Sequence, residues 1–197
     1  NSLPVLNALA YFEVARGDTR KAVHYFTKIS GLQPDDENAA FGAAYYLSDL
    51  DKKLYKEKSR EFIKRFPNSE RAPMTFYWLA ERSENQSERI SYLEELKRTY
   101  PAEKFSWSES GTSTLYSIYV MTDPEKALSL AKEMADTLTS PTQKKEWQSY
   151  LEFQTSVNQA SSLISQKKSK EALDLLEKIK NPRSLRTVNP LDILMAK

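Results

Sequence analysis

The sequence predicts an all-α chain, a right-handed superhelix of antiparallel helix pairs with about five pairs and the start of a sixth. Glycine occurs only four times and strand-like alternation is rare, while apolar residues recur three and four apart over long stretches. That is the period of a helix with one buried stripe. Prolines punctuate the chain at Pro34, Pro67, Pro101, Pro141 and Pro182, at intervals of 33, 34, 40 and 41 residues. An interval of that length holds two helices, and such a unit buries its apolar face only against a neighbour. With 40% apolar and 28% charged residues over 197 positions, the chain can fill a core and still present a charged surface.

The first pair is the best defined. Gly17 can take the positive φ that ends a helix, and Asp18 or Thr19 can cap the next one. In "TRKAVHYFTKISGL" the residues Ala22, Val23, Phe26, Ile29 and Leu32 share a face. Asp35, Asp36 and Glu37 suit the start of a third helix, where negative charge meets free N–H groups. Ala40, Ala43 and Ala44 follow, small residues that let helices cross closely, then Leu47, and "SDLDKK" takes the place of a Gly-Asp turn. In the third unit "RFPNSERAP" leads into "TFYWLA". Beyond residue 101 the wider intervals predict irregular pairs. Asp123-Pro124 and Ser140-Pro141 read as caps followed by first helical positions, and Ala172 and Leu176 as core residues of a fifth pair. Asn189-Pro190 would open a sixth helix of about two turns. One domain over 1–197 is expected, regular over 3–100 and irregular over 101–197. The absence of an initial methionine and a helix that starts just before the end predict a fragment, with more protein beyond Lys197.

Few chemistries fit. With 29 basic and 27 acidic residues the net charge is +2, which does not suggest a nucleic-acid partner. No stretch approaches the roughly 18 apolar residues of a membrane span. The lack of cysteine removes disulfides and thiol chemistry and leaves the compartment open. His24 is the single histidine, with no acidic partner three or four residues away, so it reads as a surface or packing residue. Arg16-Gly17-Asp18 spells a cell-adhesion tripeptide, but Gly-Asp is what a tight interhelical turn needs. Asn85-Gln86-Ser87 matches a glycosylation acceptor in pattern only. Neither "QPDDEN" nor "SDLDKK" has the glycine and distal glutamate of a calcium loop, and phosphate-binding and nucleophile motifs are missing. No metal, no cofactor and no catalytic residue are expected.

Residues 3 to 36 resemble a tetratricopeptide repeat. Leu9 and Ala10 match the first-helix positions, Gly17-Asp18 the turn, Ala22 the small crossing residue, Phe26 the aromatic and Pro34 the terminal proline; Leu6 departs from the tryptophan-type position. The "FPNS" connection resembles that of bacterial envelope proteins of this kind. The resemblance implies a protein-interaction scaffold whose first helices line a concave groove, and it places Asn7, Tyr11, Phe41, Tyr45, Tyr77 and Glu81 there. Tyrosines with an amide or a carboxylate suit peptide capture. The same face could instead be a capping or interdomain surface. The lysine and asparagine set that clamps a C-terminal carboxylate is absent, since Tyr11, Ala43 and Ala44 occupy that region.

Residues 161 to 197 look like the helical-repeat region preceding a thioredoxin-like redoxin domain in some bacterial envelope proteins. That likeness implies a periplasmic or other extracytoplasmic setting, with a protein, a peptide or an adjoining domain as partner. Two alternatives remain: a freestanding adaptor of envelope assembly or cell-wall machinery, and an enzyme using a carboxylate pair in the groove.

Overall fold

A computed structural model describes residues 2–179. Among them are ten helices and no strand: α1 (Leu3–Arg16), α2 (Thr19–Leu32), α3 (Glu37–Tyr45), α4 (Lys52–Arg65), α5 (Arg71–Glu81), α6 (Gln86–Thr99), α7 (Ser106–Thr122), α8 (Pro124–Thr137), α9 (Pro141–Ser165) and α10 (Ser169–Lys178). The chain is all-α, with helices packed on their neighbours in sequence. Pro182 and the Asn189-Pro190 helix start lie outside the described residues. Two compact units are present, the first ending at Tyr92 and the second beginning at Leu93, so the division falls within α6.

In the first unit α2 packs on α1 and α3, and α4 on α3 and α5. Gly17 ends α1 at φ 76°, its N–H bonding the Val14 carbonyl while the Asp18 N–H reaches Glu13. This is the left-handed cap that glycine adopts without strain. The Asp18 carboxylate then caps α2 through the Lys21 N–H at 3.2 Å. The α3 and α4 caps use the same chemistry, Asp36 to the Ala39 N–H and Asp51 to the Leu54 N–H, each at 2.9 Å. Asn85 accepts from the Glu88 N–H at the start of α6, so the glycosylation-like triplet opens a helix. Leu6, Ala10, Ala22, Phe26, Ile29, Ala39 and Ala43 form the core. Leu32 does not join it and is 56% exposed. It lies about a quarter turn from the centre of the Ala22–Phe26–Ile29 stripe and is the last residue of α2, so the chain leaves before a neighbour can cover it.

In the second unit α8 packs on α7 and α9, and α9 on α10. Two of its helices are longer, 17 residues in α7 and 25 in α9 against 14 in α1, α2 and α4, which accounts for the wider proline intervals. Asp123 caps α8 ahead of Pro124. Ser140 stands at the cap position before Pro141 with extended backbone, but its hydroxyl makes no capping bond. Tyr116, Trp147, Tyr150 and Phe153 are buried, and the Tyr116 hydroxyl donates to the Tyr150 carbonyl at 3.0 Å. Ala172 and Leu176 are buried with Ala160.

A candidate peptide-binding face on the first unit

The six predicted groove residues come from α1, α3 and α5, all in the first unit. Tyr11 and Tyr45 are 54% and 36% exposed, although the Tyr11 ring touches the buried Phe26 and the Tyr45 ring touches three half-buried aromatics. Tyr11 meets Phe26 edge-on at 5.5 Å, and Phe26 stacks on Tyr46 at 5.7 Å. Tyr46 meets Tyr45 at 5.0 Å, and Tyr45 lies 5.1 Å from Trp78. Phe41, half-buried, stacks on Tyr45 at 5.6 Å and is edge-on to Phe62 at 5.5 Å. The result is a continuous row of rings from α1 to α5, anchored at Phe26 and Phe62 in the core. Rings held in this way have few rotors to freeze when a ligand arrives.

Cations border the row. The Arg71 guanidinium sits 4.8 Å over Phe41 and donates to the Asn38 side chain at 2.8 Å. That of Arg82 lies 5.8 Å from Trp78 and 5.7 Å from Tyr55. Burial, reinforced by the neighbouring Tyr45 and Tyr11 hydroxyls, pushes the Tyr46 phenol above its ordinary value. It therefore serves as a neutral donor or acceptor at physiological pH.

The other predicted members are differently engaged. Asn7 is half-buried and donates to the Leu3 carbonyl of its own helix at 3.3 Å. Glu81 is exposed and ion-paired with Arg89. Tyr77 is half-buried. The structure thus joins Tyr11, Phe41 and Tyr45 through Phe26, Tyr46 and Phe62. The sequence alignment missed Tyr46, Trp78 and Arg71. "YY" and "FYW" carried the signal, but α3 stops at Tyr45 and the turning backbone brings Tyr46 back onto Phe26.

A carboxylate pair for acid–base work is not found among the described residues. Among the described residues Glu13 is the one buried acid, with Arg16 at 4.0 Å and no second carboxylate bonded to it. No group of three side chains able to hold a metal ion occurs among the described residues, and no described helix is long and apolar enough to cross a membrane. His24 is exposed, with its ring edge-on to Tyr25 at 5.5 Å. In the adhesion-like tripeptide, Asp18 is committed to capping α2 and pairs with Lys21 at 2.9 Å.

No family model matches the chain, and no curated protein matches it. Among solved structures it is similar to a thermophilic TPR protein in Thermus thermophilus, at 16% identity and a TM-score of 0.41, covering 99% of this chain and 98% of that one. At that distance the likeness adds nothing to the helix packing described above.

Proposed function

We propose that the chain is a non-catalytic protein-interaction scaffold of tetratricopeptide-like helix pairs, and that the aromatic row of the first unit takes up a peptide. One observation carries this reading: Tyr11 and Tyr45 stay exposed while Tyr11 rests on the buried Phe26 ring and Tyr45 is held among the half-buried rings of Phe41, Tyr46 and Trp78. Exposed rings with packed support give contact area at small entropic cost, as at binding hot spots. For the whole protein we favour the helical-repeat part of a thioredoxin-like thiol-disulfide oxidoreductase in an extracytoplasmic compartment, on the resemblance of residues 161–197. A freestanding envelope adaptor is the second reading, supported by the "FPNSERAP" connection, in which Ser69 and Arg71 are tied to α3.

The test is selection of peptides from a display library against the parent chain, followed by titration onto Tyr45→Ala. The selected peptides are expected to lose about tenfold or more in affinity, about 1.4 kcal/mol, with the thermal midpoint little changed. Equal binding to parent and variant would overturn the reading.

A further inference from the structure

Charge in this chain is sorted by helix. The 28 residues of α2 and α4 carry ten lysines and arginines against two glutamates, a net +8. The whole chain is +2, so the residues outside these two helices sum to −6. A near-neutral total therefore hides a basic face on the first unit, on the second helices of its pairs and apart from the aromatic row.

Half of those cations have partners. Lys56 pairs with Glu88 at 2.9 Å, Lys58 and Arg65 both hold Glu61, Arg60 donates to the Tyr92 hydroxyl, and Lys21 pairs with Asp18. Arg20, Lys28, Lys52, Lys53 and Lys64 are exposed and make no ion pair with a described residue. Between α2 and α4 runs a furrow of about 180 Å³. Thr27, Ser30 and Gly31 form one wall, Ala43 lies at the floor, and Glu61 and Arg65 form the other wall. Arg65 spans it to the Ser30 hydroxyl at 3.3 Å.

We infer that this basic face docks an extended acidic segment of a partner protein along the α2–α4 furrow. Small residues in the furrow let a main chain approach closely. Lysine ammonium groups on flexible stems meet carboxylates without demanding one fixed geometry. The furrow's own carboxylate, Glu61, is already neutralised by Lys58 and Arg65, so an incoming acid meets net positive charge. Nucleic acid fits less well. Phe26, Tyr55 and Phe62 are buried and Tyr25 is half-buried, leaving the single imidazole of His24 as the exposed ring on α2 and α4, where successive bases need a row of rings to stack on. Of the three guanidinium groups on these helices, suited to gripping phosphate in a fork, those of Arg60 and Arg65 are engaged within the protein and Arg20 alone is exposed and without an ion pair to a described residue. A bilayer fits less well too, because Leu32 is the single exposed aliphatic side chain on the two helices and no apolar row is available to insert.

The experiment titrates the 197-residue chain into a fluorescein-labelled oligoglutamate peptide and follows anisotropy from low to physiological salt. Binding that weakens with salt is expected. It should fall about tenfold or more in a variant carrying Arg20→Ser, Lys28→Ser, Lys53→Ser and Lys64→Ser, with helical circular dichroism retained. A control with Lys132→Ser, Lys145→Ser, Lys168→Ser and Lys170→Ser removes the same charge from exposed positions of the second unit and should bind within about twofold of the parent. Equal losses in both variants would reduce the effect to net charge and overturn the proposal, as would an absence of binding at low salt. So would tighter binding of an oligonucleotide of equal charge, or of phosphatidylserine vesicles, that is lost in the first variant.

Discussion

Position 42 shows how little room the small residues leave. A Cβ added at Gly42 would stand 2.9 Å from two ring atoms of Phe26, a side chain 2% exposed and flanked by Tyr11 and Tyr46. That ring cannot move without disturbing the aromatic row. At Gly111 the nearest atom is a terminal methyl of Leu96, at 2.5 Å, which a change of rotamer can withdraw. Alanine gains about 1 kcal/mol over glycine in a helix interior, and overpacking typically costs about 1 to 3 kcal/mol. Gly42→Ala is therefore expected to destabilise the chain by up to about 2 kcal/mol net in urea unfolding. Gly111→Ala should lose distinctly less. The reverse order would show that Phe26 is the more mobile neighbour, and the rigid support claimed for Tyr11 and Tyr45 would fall with it.

Between helices, stability is concentrated in connections that do more than turn the chain. In the segment linking α4 to α5 the Ser69 hydroxyl donates to Glu37 at 2.7 Å and accepts from the Arg71 N–H at 3.0 Å, at a site 8% exposed. Removing it strands a carboxylate oxygen and an N–H, so Ser69→Ala should cost about 1 to 2 kcal/mol, measured by thermal or urea unfolding. A neutral result would mean that water replaces both bonds. Such connections also show what could be read from sequence. Gly17, Asp18, Asp36 and Asp123 were legible because a cap is a local arrangement of one side chain and a few N–H groups. The face of α2 was legible at Ala22, Phe26 and Ile29 and failed at Leu32, which stands at the edge of that face where α2 itself ends. Trp78 and Arg71 were missed because ring contacts across α3 and α5 depend on tertiary placement. The basic face was missed because a sum over the chain averages α2 and α4 with everything else.

At the scale of the whole molecule, ion pairs that acid weakens lie in the first unit, while phenols raised by burial occur in both, Tyr46 and Tyr55 in the first and Tyr116 and Tyr119 in the second. In the first, Lys58 leads in holding the Glu61 carboxyl below its ordinary value, and Lys56 does the same for Glu88. A lowered carboxylate contributes stability above its unfolded pKa and loses it as pH falls through the folded one, so these pairs weaken in acid. In the second unit burial raises the phenols of Tyr116 and Tyr119, and a bond to Glu94 raises Tyr119 further. A raised phenol contributes fully below its unfolded value of about 10 and loses that contribution as pH climbs toward the folded one. Alkali should therefore unfold the chain as its buried phenols are forced to ionise, and tyrosinate absorbance should rise in two phases, the later one coinciding with loss of helix. Tyr116→Phe separates this from general alkaline damage. It removes the bond to the Tyr150 carbonyl, which should cost about 1 to 2 kcal/mol at neutral pH, and it also removes a proton whose loss drives unfolding. The variant should be less stable than the parent at pH 7 and show a shallower decline above pH 10. Stability curves that stay parallel through the alkaline range would mean that ionisation of Tyr116 does not drive the transition, leaving Tyr46, Tyr55 and Tyr119 as the remaining determinants.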